Sequence, residues 1–356
     1  MKRRILLTGG GTGGSVTPLL ALAQDLRTRD SALEFLFVGS HQGPEASLCA
    51  AADIPFQAIP AGKLRRYWSW QNISDLGNLW RAWRAARKII QRWPPDVVVS
   101  AGSFVAVPVV WAARRSGSRI VIHQQDVRPG LANKLMAASA DVITVSFDQS
   151  RQDFPASKVR LIGNPVRPEI LTGSVDEARR LFSLAADIPT LLVVGGGTGS
   201  QAINQLIIAT APRLVQTWQI LHITGDRAFI PSLEHERYHY ISFLTKEYPD
   251  ALAVADLVVS RCGLGAMTEL AALGKPTIFV PMPQSHQEDN ARVIRDNNAG
   301  LVVAQADLSD TYFIQLLGEL MSDRDRLAAW ARNISALARP DALKKMSELI
   351  LHLSNS

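Results

Sequence analysis

Three glycine clusters hold the residues that are best suited to do chemistry. Two of them have nearly the same form, since residues 9–15 (GGGTGGS) and 195–200 (GGGTGS) each follow a short apolar run. Glycine lets the backbone adopt positive φ and approach a ligand closely. A helix that starts directly after such a turn offers free N–H groups and a partial positive charge, which suit a phosphate. We therefore expect both turns to face phosphate groups.

The third cluster, residues 260–270 (SRCGLGAMTEL), again combines a strand end, a glycine turn and a helix start. Glu269 lies near that helix start, where its carboxylate can accept two hydrogen bonds from a ribose diol. The alternative is that Glu269 only complements the helix dipole. Residues 281–291 (PMPQSHQEDNA) follow as a polar loop that enters a helix, and its amides and imidazole suit sugar hydroxyls.

Two other interpretations of the glycine turns are open. The first turn formally matches the dinucleotide fingerprint G-x-G-x-x-G, which is weak when it stands alone. A nicotinamide cofactor also calls for an acidic residue at the end of the second strand, and residues 38–41 read VGSH. The second interpretation is that both glycine turns serve packing alone and bind no ligand. Two turns in matching places favour ligands over packing.

Short apolar runs alternate with helical stretches, which predicts an α/β fold whose parallel strands are covered on both faces. The alternation restarts after the turn-rich residues 163–168. We predict two Rossmann-like, doubly wound domains facing a cleft, at 1–163 and 164–339, with a last helix at about 340–356 packing back on the first. The predicted strands are 4–8, 34–38, 97–100, 119–123 and 142–145, then 190–194, 219–224, 238–242, 257–260 and 277–280.

Composition and charge favour a globular protein with an anionic partner. The chain has 356 residues, too many for one hydrophobic core, and its two cysteines form no metal motif. Residues 1–160 carry 21 Lys and Arg against 11 Asp and Glu, although the whole chain has a net charge of only +6. This basic half predicts contact with phospholipid, pyrophosphate or nucleic acid, and no nucleic-acid fold signature accompanies it. The apolar run at 5–7 is far shorter than a signal-peptide core, which predicts a cytoplasmic protein.

Aromatic and cationic side chains occur together in residues 63–70 (KLRRYWSW) and in the helix predicted from Ser74. Such pairs suit a membrane interface, whereas the alternative is an ordinary core stripe with a solvated basic face. We predict that the loop with Trp68 and Trp70 binds the inner face of the plasma membrane, and both interpretations of the helix stay open. Its apolar side holds Leu76, Leu79, Trp80, Trp83, Ile90 and Trp93, and its basic side holds Arg81, Arg84, Lys88 and Arg92.

Six ordered segments, spread over nearly the whole chain, resemble the MurG family, the lipid I N-acetylglucosaminyltransferases of peptidoglycan synthesis. The family has the GT-B fold, uses no metal and inverts the anomeric centre of the sugar. The resemblance therefore implies a GT-B enzyme without a cofactor, with UDP-GlcNAc as co-substrate. The segments are residues 10–14 (GGTGG), 123–134 (HQQDVRPGLANK), 163–167 (GNPVR), 194–196 (VGG), 261–269 (RCGLGAMTE) and 286–291 (HQEDNA).

The resemblance also implies roles for single residues. Leu244 would hold uracil through its backbone, Arg167 would lie beside the nucleotide, and Glu269 would bind the ribose hydroxyls. The acceptor pyrophosphate would face the first glycine turn, at Thr12, Gly13 and Gly14. Four residues would lie at the diphosphate or the sugar: Gly196, Gly197, Arg261 and Gln287. No metal ligands are expected, because the Asp-x-Asp at residues 323–325 (DRD) reads as a helix start.

The acceptor side departs from the family's pattern. Ser15 and Gln124 stand where the family usually has His and Glu, and Asp126 stands where it usually has Asn. Gly102-Ser103-Phe104 replaces Gly-Gly-Tyr, and Gly197-Thr198 replaces Ser-Gln in the second turn. The donor side is less affected, because it relies largely on backbone groups.

An inverting transfer needs a base near the acceptor hydroxyl. The candidates are Asp126, His123 and Ser15, although Ser15 cannot serve unaided. Asp126 could instead be a turn-capping carboxylate before Pro129. The base is therefore left open between Asp126, His123 and an unidentified group.

The predicted reaction is transfer of GlcNAc from UDP-GlcNAc to lipid I (undecaprenyl-pyrophosphoryl-MurNAc-pentapeptide), which forms lipid II. Peptidoglycan synthesis would connect the protein to cell-wall biogenesis, cell shape and cell division. The alternative is a MurG-like transferase that uses a UDP-sugar with another lipid-linked or secondary-metabolite acceptor. A nucleotide-sugar-binding protein with little catalysis is a third possibility, from a different class.

Overall fold

The computed structural model describes residues 3–11, 13–60, 71–197, 199–225, 231 and 233–355. The chain divides into two compact units, Met1–Val166 with Arg339–Ser356, and Arg167–Ala338. Each unit is an α/β domain built on one parallel sheet. The division falls inside the turn-rich segment 163–168, and the end of the chain belongs to the first unit.

The first domain has a seven-stranded sheet in the order β3-β2-β1-β4-β5-β6-β7 within the described residues. All neighbouring strands run parallel. The strands are β1 (Arg4–Thr8), β2 (Glu34–Ser40), β3 (Phe56–Ile59), β4 (Val97–Ser100), β5 (Arg119–Gln124), β6 (Val142–Val145) and β7 (Val159–Leu161). The helices are α1 (Thr17–Arg29), α2 (Glu45–Ala51), α3 (Gln71–Arg92), α4 (Ala106–Arg115), α5 (Leu131–Ala137) and α13 (Ala342–Ser354).

Alternate residues of the inner strands of this sheet enter two separate cores. In β1, Ile5 and Leu7 pack with α1 and α13 on one face, whereas Leu6 packs with α3, α4 and α5 on the other. Such two-sided burial produces the continuous apolar runs seen in the sequence. Met346 and Ile350 of the last helix, α13, belong to the same core as Ile5 and Leu7.

The second domain has a six-stranded parallel sheet in the order β10-β9-β8-β11-β12-β13 within the described residues. Its strands are β8 (Thr190–Val194), β9 (Gln219–Ile223), β10 (Tyr238–Ile241), β11 (Leu257–Ser260), β12 (Thr277–Phe279) and β13 (Leu301–Val302). Its helices are α6 (Val175–Phe182), α7 (Gln201–Leu214), α8 (Tyr248–Val254), α9 (Leu264–Leu273), α10 (Gln287–Asp296), α11 (Asp310–Ser322) and α12 (Arg324–Ala336).

In both sheets the order of the strands along the chain reverses at one point. This point lies between β1 and β4 in the first sheet and between β8 and β11 in the second. Open α/β sheets bind ligands beyond the carboxyl ends of the strands at this switch point. The first two glycine turns directly follow β1 and β8. Each domain therefore presents a glycine turn at the place where this fold binds ligands.

Among the residues that the structure describes, none of the helices combines the length and the apolar content that a bilayer crossing requires. The Asp-x-Asp at residues 323–325 is a helix start, as predicted, because the Asp323 carboxylate accepts a hydrogen bond from the Arg326 N–H (3.0 Å) at the beginning of α12.

Candidate active site

The second glycine turn contains two kinds of glycine. A Cβ at Gly195 would lie 2.6 Å from the Ser200 nitrogen, and one at Gly199 would lie 2.3 Å from the Thr224 oxygen. These two glycines are required by packing. A Cβ at Gly196 or Gly197 would meet nothing within 4 Å, so their backbones border open space. Packing therefore explains the glycines at 195 and 199 only. Gly196 and Gly197 are free of close neighbours at the Cβ position and can present backbone groups to a ligand.

The adjacent strand, β11, leads into the start of α9. The preceding Gly263 provides no side-chain cap, so the first turn of α9 offers N–H groups without a partner inside the helix. Gln287 begins α10 after the next strand, β12, and its Oε1 accepts a hydrogen bond from the Met282 N–H (3.0 Å). Because β8, β11 and β12 are neighbours in the sheet, these three strand ends lie together at one edge.

Glu269 and Arg167 form an ion pair inside the second domain. An Nη2 of Arg167 donates to Oε1 of Glu269 at 3.0 Å, and the Glu269 side chain is only 15% exposed. Burial raises the pKa of Glu269, while Arg167 opposes this rise. Glu269 lies beyond the first turn of α9, where the helix dipole has little effect. Arg167, rather than the helix dipole, is therefore the partner that the structure gives to the Glu269 carboxylate, and binding of a ribose diol stays a prediction.

Two further predicted donor residues have different surroundings. Leu244 is half-buried in the loop between β10 and α8, next to the exposed Phe243. The guanidinium of Arg261, in contrast, is occupied by acceptors of the protein itself, including Ser200 and Gln305. Arg261 therefore lies at the predicted end of the sheet with its Nη groups directed into the loops.

The first glycine turn is held from inside by Glu45, a residue that the sequence analysis missed. Glu45 is fully buried, and its Oε1 accepts hydrogen bonds from the Gly11 N–H (2.8 Å) and the Ser40 hydroxyl (2.9 Å). The Ser15 hydroxyl closes the turn through the N–H and the carbonyl of Gly10, both at 3.1 Å. The predicted Thr12 lies outside the described residues, and Gly13 and Gly14 begin a short 3₁₀ turn.

His123 lies inside the first domain rather than at its surface. Its Nδ1 is 2.9 Å from the Thr144 hydroxyl, its Nε2 is 3.0 Å from Oδ1 of Asn164, and its exposure is 0%. Burial lowers the pKa of His123 to about 4, so the ring is neutral near pH 7. His123 has no exposed surface in this structure, and its contacts connect the HQQD and GNPVR segments.

The loop after β5 places Asp126 next to the first glycine turn. Gln125 Nε2 donates to the Gly14 carbonyl (2.9 Å), which ties the loop to that turn. Gln124 is buried, and its Nε2 donates to the carbonyl oxygens of Asp126 (2.6 Å) and Arg128 (3.3 Å). Asp126 itself is partly exposed. The carboxylate that the family usually has at 124 would be buried, whereas the one at 126 reaches the surface.

The turn after β4 contains a non-glycine residue in left-handed conformation. Ser103 has φ = 77°, beside Gly102 with φ = 91°. The family usually has glycine at position 103, which fits this backbone without cost. Ser103 therefore adopts a backbone conformation that favours glycine.

Three residues of these sites gave no usable signal in the sequence: Glu45, Asn164 as a partner of His123, and Gln305. Each acts through long-range contacts, and a single sequence does not reveal such pairs. Asn164 was recognised only as part of the turn-rich GNPVR segment. Within the described residues, no group of three or more His, Cys, Asp or Glu side chains is placed to hold a metal ion.

Comparison with known proteins agrees with the fold. The glycosyltransferase family 28 N-terminal domain matches residues 5–145, and the family 28 C-terminal domain matches residues 190–346. The chain is thus a two-domain glycosyltransferase of the GT-B type.

A relative from Desulforamulus reducens is 36% identical, covers 98% of both chains, and is named UDP-N-acetylglucosamine--N-acetylmuramyl-(pentapeptide) pyrophosphoryl-undecaprenol N-acetylglucosamine transferase. The crystal structure of Acinetobacter baumannii MurG covers 99% of this chain and 100% of its own, with 25% identity and a TM-score of 0.74. The chain belongs to the MurG family, as its motifs predicted. A UDP-GlcNAc 2-epimerase from Neisseria meningitidis, at 12% identity and a TM-score of 0.71, shares the fold alone.

Proposed function

We propose that this protein transfers GlcNAc from UDP-GlcNAc to the muramoyl sugar of lipid I, forming lipid II. The observation that carries the proposal is the match, at 36% identity over 98% of both chains, to a relative whose name states this transfer. The donor half of the reaction is also supported by the second domain, where Gly196, Gly197 and Glu269 follow adjacent strands.

The donor would bind mainly through fixed groups of the second domain. The uncapped start of α9 and the open backbone at Gly196 and Gly197 suit the negative diphosphate. Glu269 would accept hydrogen bonds from the ribose hydroxyls through the carboxylate that Arg167 orients. Arg167, Leu244 and Gln287 complete the proposed donor set. We further propose that the transfer needs no metal and no cofactor, since the charge would be stabilised by N–H groups.

Asp126 is the proposed base. It is partly exposed, and its loop is tied to Gly14 of the first glycine turn, where the acceptor would bind. Deprotonating the sugar hydroxyl during attack at the anomeric carbon would give an inverted product, with UDP leaving from the opposite face. Gln124 keeps the loop in shape because an amide, unlike a carboxylate, can donate to two carbonyl oxygens.

The first domain would contact the membrane. In α3, Ala82, Ala86 and Ile90 are buried, whereas Trp80 is 56% exposed with the Arg84 guanidinium 4.6 Å from its ring centroid. The predicted apolar stripe is therefore divided: Ile90 belongs to the core, and Trp80 does not. We propose peripheral binding to an anionic inner-membrane surface, with no role for nucleic acid. Trp68 and Trp70, the predicted contact loop, lie outside the described residues.

Complementation tests this proposal and the alternative acceptor together. A bacterial strain depleted of its own lipid I transferase should grow when it expresses the wild-type protein. The Asp126→Asn variant should fail, because loss of a general base costs roughly 10²–10⁴-fold in rate. The control is Asp148→Asn, which changes an exposed carboxylate of the same domain and should support growth.

Failure of the wild-type protein to support growth, at normal expression, would favour a different acceptor. Growth with Asp126→Asn at the wild-type rate would leave the transfer in place and remove Asp126 as the base.

A further inference from the structure

The Arg261 side chain is bound by four acceptors of its own domain. One terminal nitrogen, Nη1, donates to the carbonyl oxygens of Val280 (3.1 Å) and Pro281 (3.3 Å). The other, Nη2, donates to the Ser200 hydroxyl (2.6 Å) and to Oε1 of Gln305 (2.8 Å). The guanidinium has few donors left for a ligand, because each terminal nitrogen carries only two hydrogens.

These acceptors belong to the loops that the donor would touch. Ser200 caps α7 directly after the Gly196–Gly197 turn. Val280 and Pro281 begin the loop that leads to Gln287. Gln305 opens the 3₁₀ turn Gln305–Asp307 after β13. One guanidinium therefore connects the carboxyl ends of β8, β11, β12 and β13.

We propose that Gln305 is a positioning residue of the donor site. It holds Arg261 where the guanidinium fixes the second glycine turn and the Gln287 loop, and it keeps this charge away from the diphosphate. The inference rests on the proposed function only in taking UDP-GlcNAc as the donor. It assigns Arg261 to the support of the loops, whereas the family resemblance places Arg261 near the diphosphate.

Two replacements of Gln305 separate these two roles of Arg261. If Arg261 positions the loops, Gln305→Leu loosens the guanidinium and weakens UDP binding. Gln305→Glu then keeps binding, because a carboxylate oxygen accepts the same hydrogen bond. If the Arg261 charge contacts the diphosphate, the signs reverse: Gln305→Glu weakens binding by neutralising the charge, and Gln305→Leu leaves it intact or improves it.

The experiment is isothermal titration of the full-length protein with UDP, supported by KM and kcat for UDP-GlcNAc. We expect Gln305→Leu to weaken UDP binding by about tenfold and to raise KM equally with little change in kcat, since the hydrogen bond that is lost holds a charged group. Gln305→Glu should stay within about twofold of the wild type. The control Gln315→Leu removes an exposed glutamine of α11 and should bind UDP normally.

The reversed pattern, equal loss in both Gln305 variants, or no loss in either would overturn the proposal. If Gln305→Leu does not fold, Gln305→Asn replaces it, because the shorter amide keeps the polarity but does not reach Arg261. Loss of UDP binding in Gln305→Asn with binding kept in Gln305→Glu supports the proposal, and equal binding in both contradicts it. A wild-type protein that fails to bind UDP at all would contradict the proposed function instead.

Discussion

Several titratable side chains of the predicted site are engaged by the protein itself. His123 is buried between Thr144 and Asn164, and the Nη groups of Arg261 are occupied by loop acceptors. His123 was a candidate base, and the family resemblance implied a diphosphate contact for Arg261. Both groups hold loops of their own domain in place, whereas Asp126 is partly exposed.

Ser103 tests how much free energy a left-handed backbone conformation costs at a single residue. Left-handed backbone costs an L-residue roughly 1–2 kcal/mol, and glycine avoids this cost but loses more entropy on folding. We therefore expect Ser103→Gly, at φ = 77°, to raise the free energy of unfolding by about 1 kcal/mol. The measurement is urea denaturation followed by circular dichroism.

The matched control is Ser116→Gly, at the end of α4, where φ is −93° and glycine relieves nothing. That variant should be no more stable than the wild type. A Ser103→Gly protein that is less stable than the wild type would show that the Ser103 side chain contributes more than its backbone conformation costs.

The positions of the glycine turns and of Glu269 could be predicted from the sequence, and the contacts that hold them could not. Glycine turns after apolar runs and Glu269 after a strand are local patterns, so they are visible in one chain. The pairing of Arg167 with Glu269 joins residues that are far apart in sequence, and only the fold brings them together. For the same reason Glu45, beneath the first glycine turn, was not recognised. The proposed roles of the predicted residues stay predictions.

The strands that are buried on both faces could be predicted from the sequence. Every predicted strand is present, with small shifts at the ends. Three strands were missed, β3, β7 and β13, and all three lie at sheet edges. An edge strand is short or half-exposed, as the partly buried Phe56–Ile59 shows, so its apolar run is interrupted. The helix expected from Ser74 begins at Gln71, and the last helix is Ala342–Ser354.

At the scale of secondary-structure elements, the testable prediction concerns the binding of helix α3 to anionic lipid. Anionic lipid attracts each well-placed Lys or Arg by about 1 kcal/mol. We expect Arg84→Gln with Lys88→Gln to weaken binding to phosphatidylglycerol vesicles by about 10- to 30-fold, because two charges of the exposed face are lost. Co-sedimentation at low salt measures this affinity.

The control double variant is Lys344→Gln with Lys345→Gln, which removes two exposed charges from α13 of the same domain. Equal weakening in both double variants would mean that total charge, and not the α3 surface, determines binding.

At the scale of the whole molecule, the fold does not determine the reaction. The Neisseria meningitidis epimerase has the same architecture at 12% identity, so two parallel α/β domains serve more than one chemistry. What distinguishes this chain is the full-length similarity to the named transferases and the set of loops at its two switch points. The acceptor loops differ most from the family's pattern, so the acceptor is the part of the account that most needs a direct test.

That test is transfer of labelled GlcNAc from UDP-GlcNAc to a lipid I analogue with a shortened prenyl chain, run in parallel with EDTA and with Mg²⁺. We expect a lipid-linked disaccharide product with EDTA present, and loss of UDP-GlcNAc binding in Glu269→Ala. If the wild-type protein binds UDP-GlcNAc but forms no product in either reaction, lipid I is not its acceptor.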